Sequence, residues 1–281
     1  RLAAVFCSLG VTKLRLTGGE PLLRRGLVDL VRMLAEIPGK HDLAMTTNGS
    51  ALARYAKKLK TAGLERVTIS MDALDPETFV RMNGSGASPG RVIEGIDAAL
   101  EHGLKVKINS VIQRGVNEDQ IVALATFGRR RGITMRFIEY MDTGNTNGWK
   151  LSDVVPYTEM LQAIRQHYPL EAIPPNYTGE TAKRFGYQDL AAQEVGFISS
   201  VSKPFCGDCN RARLSSDGQI FTCLFASHGH DLKTLLRGGA SDDEIAEVIR
   251  SVWAARDDRY SELRSAIGGA KAKPEMSYIG G

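Results

Sequence analysis

The sequence predicts an α/β fold built on a parallel sheet, arranged as an open or partial (β/α) barrel. Three observations carry that prediction. Short β-branched runs at 13–17, 43–47, 66–70, 105–111 and 134–138 alternate with stretches of helical periodicity. Glycines close several of those stretches: Gly39, Gly63, Gly103 and Gly132 each stand a few residues before the next strand run. No hairpin signal joins successive runs, so the connections are right-handed crossovers between parallel strands. Five strands with irregular spacing leave the barrel open. Functional side chains then belong at the C-terminal ends of the strands.

Taken in order, the chain opens inside a helix-like pattern. Leu2, Val5, Phe6 and Leu9 surround Cys7, which reads as a core residue. Leu27, Leu30, Val31 and Leu34 mark one helical face, and Val92, Ile96, Ala99 and Leu100 a second. Ile121, Leu124, Ala125 and Phe127 mark a third. Asp75-Pro76 and Ser88-Pro89 read as helix starts with proline at the first helical position. Beyond Asp142 the rhythm breaks. Residues 143–150 are rich in glycine and asparagine and read as a loop, 156–167 as a helix, and 169–187 as irregular. The runs 195–201, 212–215 and 219–223 read as short strands, with Ser216-Asp217-Gly218 as a hairpin turn. Residues 242–255 form a helix, and the tail ends loosely in Tyr278-Ile279-Gly280-Gly281.

Composition bounds the function classes. The 281 residues are 43% apolar and 24% charged, which excludes a disordered tail, a collagen-like repeat and a small disulfide scaffold. The net charge of +4 does not by itself imply nucleic-acid binding, but it permits a local basic pocket for a polyanion. No apolar run reaches the ~18 residues of a membrane span. The first residues lack a signal-peptide pattern, so the expectation is a cytoplasmic protein with no membrane or nucleic-acid partner. Three of four cysteines fall between 206 and 223, which favours a metal site over disulfides in such a chain.

The strongest chemical signal is Cys206-Gly207-Asp208-Cys209, followed by thirteen residues and Cys223. His228 or His230 could complete a Cys3His zinc site. Three cysteines alone suit a [4Fe–4S] cluster with one open iron. Three buried apolar thiols are the bland alternative. Next comes Thr17-Gly18-Gly19-Glu20-Pro21, directly after the first strand. Its glycines let backbone approach a ligand, and Glu20 can accept hydrogen bonds from an ammonium group. The bland reading is a βα turn. Thr46-Thr47-Asn48-Gly49, Ser70-Met71-Asp72 and Asn109 end other strands. Each alone is more often a helix cap. Together they suit ribose and amino-acid groups.

Cations also sit on strands. Lys13 and Arg15 share one face, as do Lys105, Lys107 and Asn109; Arg136 lies in a fifth run, and Arg211 and Arg213 repeat the spacing after the cysteines. Parallel sheets are covered on both faces, so such cations point into a lumen and need an anion there. Several converging cations suit a triphosphate. On physical grounds alone Gly280-Gly281 reads as a frayed end. His41, His102, His167, Trp149 and Trp253 show no functional pattern.

The run from Lys13 to Arg24 closely resembles the MoaA-type GTP 3′,8-cyclases, radical S-adenosylmethionine (SAM) enzymes of molybdenum cofactor biosynthesis. So do Thr46-Thr47-Asn48-Gly49, Ser70 to Leu74, Lys107-Ile108-Asn109, Arg136 to Met141, Phe205 to Arg213 and the terminal Gly-Gly. The resemblance covers essentially the whole chain. It implies a partial (β/α)6 barrel over 1–142 and a cluster- and GTP-binding region over 143–281. It implies a [4Fe–4S] cluster on Cys206, Cys209 and Cys223, whose open iron holds guanine. By position it assigns Lys13, Arg15, Thr46, Lys107, Arg136, Arg211, Ala212 and Arg213 to GTP. Gly19, Ser70 and Met141 match SAM positions, and Gly280 and Gly281 match the pair that reaches the active site. The implied reaction starts with reductive cleavage of SAM. The 5′-deoxyadenosyl radical takes hydrogen from C3′ of GTP, C3′ attacks C8, and reduction gives 3′,8-cyclo-7,8-dihydro-GTP. The resemblance also implies a homodimer and a downstream partner, cyclic pyranopterin monophosphate synthase.

One departure bears on activity. The family's CxxxCxxC loop, its first strand and an N-terminal GTP-contacting arginine are not in the sequence, and Cys7 cannot replace the loop. The expectation is an N-terminally truncated cyclase that does not cleave SAM reductively, with the second cluster confined to the full-length protein. Two other readings compete: another radical SAM enzyme with an auxiliary cluster, and a zinc-binding module for phosphate ligands.

Overall fold

Glycines with left-handed backbone punctuate the fold where the sequence places them, with φ of +78° at Gly39, +101° at Gly63, +73° at Gly103 and +68° at Gly132. The structure, a computed structural model, describes residues 1–83, 88–264 and 273–280. Its first half runs α1 (Leu2–Ser8), β1 (Lys13–Leu16), α2 (Leu27–Ala35), β2 (Asp42–Thr47), α3 (Leu52–Thr61), β3 (Arg66–Ser70), α4 (Pro76–Asn83), α5 (Pro89–Glu101), β4 (Lys105–Ile112), α6 (Ile121–Arg131) and β5 (Thr134–Glu139). Strands β1 to β5 lie side by side in chain order, every pair parallel. All five expected strands are present, and α4 and α5 begin at Pro76 and Pro89.

The second half starts with α7 (Tyr157–Arg165), β6 (Leu170–Ile173), β7 (Lys183–Tyr187) and β8 (Glu194–Ile198). Strand β8 joins β5 in parallel, giving six parallel strands. Strands β7 and β6 then extend the edge antiparallel, so one eight-stranded sheet spans both sides of residue 142. The stretch 169–187, expected to be irregular, holds two of these strands. Their alternation is short and carries Lys183, Arg184 and Gly186, so no period is legible locally. Packing supplies it instead: Phe185 meets Phe197 edge-on at 5.6 Å, and Phe197 stacks on Phe137 at 5.8 Å.

Beyond it come β9 (Arg213–Leu214), β10 (Gln219–Phe221), β11 (His230–Asp231), α8 (Lys233–Arg237), α9 (Asp242–Ala254), α10 (Tyr260–Leu263) and α11 (Met276–Ile279). Strands β9 to β11 form a small antiparallel sheet. Helix α9 starts with a capping box: Ser241 Oγ accepts from Glu244 N at 3.2 Å, and Glu244 accepts from Ser241 N at 2.7 Å. A small core unites Val5 of α1 with Ile220, Leu232, Ile245 and Ile249, so the first helix packs on α9.

The main core lies between the large sheet and its helices, with Leu43, Met45, Ile69, Ile96, Ile108 and Phe137 fully buried. The sheet's outward face thus takes the apolar residues and its inner face the polar ones. Gly49 at the end of β2 is required by close approach: a Cβ there would stand 2.9 Å from Ile69 Cγ2. Glu139, at the end of β5, is completely buried. Its carboxylate accepts from Tyr157 N at 2.9 Å, Val201 N at 2.8 Å, Ser202 N at 2.7 Å and the Ser202 hydroxyl. It thereby ties β5 to the start of α7 and to the turn after β8. Among the described residues no helix is long and apolar enough to cross a membrane.

Candidate active site

Alternation on the six parallel strands sends one set of side chains into the lumen. From β1 come Lys13 and Arg15, from β2 Asp42 and Thr46, from β3 Arg66, Thr68 and Ser70, from β4 Lys107 and Asn109, and from β5 Arg136. Register aligns Thr46, Thr68 and Lys107 in one row and Ser70, Asn109, Arg136 and Gly196 in the next. Gly196 makes room for its neighbour, because a Cβ there would lie 3.3 Å from Arg136 Cγ.

These cations crowd one another. Arg15 Nη1 donates to Thr46 Oγ1 at 2.8 Å and Thr68 Oγ1 at 3.1 Å, both neutral. Arg66 is held by Asp42. Lys107 Nζ reaches Glu194 only at 3.8 Å, and Glu194 is also taken by Arg184. Enclosure by protein, then repulsion from Arg66 and Arg136, brings Arg15 down to about 10. Enclosure, then Arg136, brings Lys107 down to about 8. Such a cluster is destabilised until an anion enters.

The loop between β6 and β7 brings one carboxylate and one aromatic ring to this cluster, and nothing in the sequence pattern marked it. Lys13 Nζ sits 3.3 Å above the centre of the Tyr177 ring. The Glu180 carboxylate, 2% exposed, lies 3.4 Å from Arg136. The same loop touches the cysteine hairpin, where Asn210 Nδ2 donates to Thr178 O at 3.5 Å. A cavity of about 300 Å³ lies here, lined by Tyr177, Glu180, Phe205 and Asp208 among others.

At the strand ends, Glu20 has partners within the fold itself. Its carboxylate accepts from Thr47 Oγ1 at 2.7 Å, Asn48 N at 2.8 Å and Leu22 N at 3.0 Å, stapling the loop after β1 to the end of β2. Ser70 ends β3, and Met141 follows β5 directly past the Glu139 staple. The Asn109 side-chain oxygen is buried without a partner among the described residues.

Asp72, just past β3, accepts from Val111 N at 2.7 Å. Burial pushes its carboxyl up to about 6, against the bond from Val111. A carboxyl that protonates more readily folded than unfolded weakens the fold as pH rises from about 4 to about 6. Asp72→Asn is expected to flatten that dependence. It should also raise stability at pH 7 by up to about 3 kcal/mol, taking about 1.4 per pKa unit. Urea midpoints at pH 4.5 and 7 check this; an unchanged pH slope would rule it out.

Cys206, Cys209 and Cys223 are all free and half-buried. Arg213 feels the charges of Cys209 and Cys223, and Cys223 that of Cys206, so the three thiols share one neighbourhood. Burial works to raise the Cys209 thiol, but Arg211 and a bond from Arg256 outweigh it and hold it below its usual value. Burial raises the Cys223 thiol. Arg211 Nη2 lies 3.5 Å from Cys209 Sγ, Ala212 is exposed beside it, and enclosure with Arg211 brings Arg213 down to about 10. Among the described residues no His, Cys, Asp or Glu group is drawn in tightly enough to grip a single metal ion. His228 and His230 are both exposed. As a donor set, three free thiols flanked by arginines fit a cysteine-ligated cluster.

Gly280 lies close to both the glycine loop after β1 and the cysteine hairpin. Arg213 Nε donates to Gly280 O at 3.0 Å. A Cβ on Gly280 would lie 2.4 Å from Thr17 Cγ2, and one on Gly19 4.0 Å from Ser277 O. The chain end therefore rests between the glycine loop after β1 and the cysteine hairpin. Gly281 lies outside the described residues.

A parallel barrel sheet with a Gly-Gly-Glu-Pro loop after β1 defines a radical SAM enzyme, and the Radical SAM superfamily model matches residues 1–128. The Molybdenum Cofactor Synthesis C model matches 133–262. A GTP 3′,8-cyclase of Acidothermus cellulolyticus is 50% identical, covering all of this chain and 84% of its own length. One from Xanthomonas axonopodis is 51% identical, covering all of this chain and 83% of its own. One from Staphylococcus haemolyticus is 46% identical, with 100% and 84% covered. The chain belongs to the GTP 3′,8-cyclase family. The crystal structure of Streptococcus suis SuiB shares the fold at a TM-score of 0.59 and 16% identity, over 94% of this chain and 60% of that one. SAM and a [4Fe–4S] cluster are the cofactors this class implies.

Proposed function

We propose that this chain binds GTP across the lumen and positions it for 3′,8-cyclisation, the reductive cleavage of SAM needing a cluster whose CxxxCxxC ligands are not in this sequence. Lys13, Arg15, Lys107 and Arg136 hold the triphosphate, with Thr46 beside them. Cys206, Cys209 and Cys223 hold a [4Fe–4S] cluster, and Arg211, Ala212 and Arg213 line the guanine end. Gly19, Ser70 and Met141 hold SAM. The observation that carries this reading is the cation cluster itself: Arg15 and Lys107 are both depressed by enclosure and like charge, on the face that ends at the glycine loop. SAM would supply the hydrogen-abstracting chemistry once cleaved at a reducing cluster, and a cluster held by these three cysteines would leave one iron open as a site for the base. The protein's own part is positioning. Cations fix one end of the substrate and the cysteine hairpin the other, while the Gly280 segment screens the space between from water. Residues 1–142 supply five of the barrel's parallel strands, and 143–281 supply the sixth together with the proposed cluster and GTP region. A homodimer, cytoplasmic location and delivery of product to cyclic pyranopterin monophosphate synthase complete the proposal.

Anaerobic reconstitution is expected to load about four irons and four sulfides on these three cysteines. GTP should then bind, and Cys206→Ala should lose both the iron and most of the GTP affinity. Stoichiometric zinc without iron would overturn this reading in favour of a zinc module. Unchanged GTP affinity in Cys206→Ala would point to another radical SAM enzyme.

A further inference from the structure

The chain leaves β5 through Met141 and meets itself again near its end. Asp142 Oδ2 accepts from Lys273 Nζ at 2.9 Å and from the Tyr260 hydroxyl, and Oδ1 from Arg264 Nε at 2.9 Å. Lys273 Nζ also donates to Asp142 O at 3.0 Å, and its side chain is only 6% exposed. Next along, the Asn145 amide pairs with the backbone of Lys273 in both directions. Lys273 N donates to Asn145 Oδ1 at 3.0 Å, and Asn145 Nδ2 donates to Lys273 O. The Glu275 carboxylate accepts from Asn145 N at 2.9 Å and Thr146 Oγ1 at 3.4 Å. Gly144, at φ +66°, allows this approach, since a Cβ there would collide with Glu275 Oε2.

Among the described residues, the one buried apolar side chain of the segment 273–280 is Ile279. Tyr278 adds an edge-on contact with Phe221 at 6.1 Å and an exposed hydrogen bond to Asp217 at 2.7 Å. A terminal segment with so small an apolar anchor frays unless polar contacts hold it. Yet its last described residue, Gly280, takes the Nε–H of Arg213. A guanidinium fixed at Nε keeps its two Nη groups free in a set plane for a bidentate acceptor.

We propose that residues 142–146 form a clasp, and that Asn145 and Lys273 are positioning residues for Arg213. They hold the segment that carries Gly280, and Gly280 orients the guanidinium. The clasp grows from Asp142, next to Met141, so it joins the two ends of the site through one stretch of backbone. The Arg213 step rests on the proposed role of that residue toward GTP; the clasp itself does not.

Two measurements on the cluster-reconstituted chain test this. Carboxypeptidase should release residues from the C-terminus about tenfold faster in Asn145→Ala and in Lys273→Met than in the parent, with Lys273→Arg largely restored. GTP should bind about tenfold more weakly in the same two variants. In an Arg213→Ala background, adding Asn145→Ala should cost no further affinity, because both changes act through one group. A merely structural role would add. Unchanged release rates overturn the clasp, and additive affinity losses overturn its action through Arg213. A parent that binds no GTP overturns the proposed function, and the release rates still decide the clasp. Asn145→Asp, which keeps the acceptor and loses the donor, replaces Asn145→Ala if that variant does not fold.

Discussion

Arg15→Ala is expected to weaken GTP binding by about 2 to 5 kcal/mol, on the order of 30- to 5,000-fold in Kd, while the ligand-free protein melts no lower than the parent. The two halves of that result have one cause. Among the described residues Arg15 has hydroxyls of Thr46 and Thr68 as partners and no carboxylate of its own, because Asp42 is engaged by Arg66. Its guanidinium is open to the lumen yet ringed by protein, and Arg66 and Arg136 repel it. Removing it relieves the empty site. A triphosphate would supply the missing charge, so removing Arg15 takes away a charge-assisted partner of the ligand. Residues kept for binding commonly trade against stability in this way. Arg15→Lys should fall between, keeping the charge and losing the planar fork. Calorimetric titration with GTP and thermal melts of the same samples check both halves. A lowered melting temperature with retained affinity would make Arg15 a scaffold residue.

Glu139→Ala should destabilise the fold by about 3 to 5 kcal/mol. The carboxylate is fully buried and accepts four hydrogen bonds, three of them from backbone amides at Tyr157, Val201 and Ser202. Each bond to a charged acceptor contributes about 1.5 to 3 kcal/mol, and the three part-buried amides then lose their acceptor. Glu139→Gln should recover only part, since its NH2 group faces donors. Denaturant midpoints measure both variants; a loss below about 1 kcal/mol would show that water fills the gap without penalty. The effect should spread to the site, because Met141 and Asp142 follow this staple in the chain.

The parallel strands were legible because each is a short β-branched run set off by helix-ending glycines. The polar lumen residues were legible for a related reason: Lys13 and Arg15, or Lys107 and Asn109, alternate with apolar residues that must face the helices. What stayed hidden were partners brought from elsewhere in the chain. Glu180 and Tyr177 reach the cations from a loop of no evident pattern, and β6 and β7 gain their strand character from packing on β8. The partners of Glu20 were hidden likewise, because Thr47 and Asn48 come from the end of another strand. Gly280 reads as a loose end by composition, and only its resemblance to a known glycine pair marked it.

The rest position of Gly280 against Thr17 also sets an order of events in folding. The contact between Thr17 and Gly280 spans nearly the whole chain, and contacts of such long separation form late because the loop they close is long. The contact of Gly280 with Thr17 is thus among the late ones, and until it forms the lumen cations face water from that side.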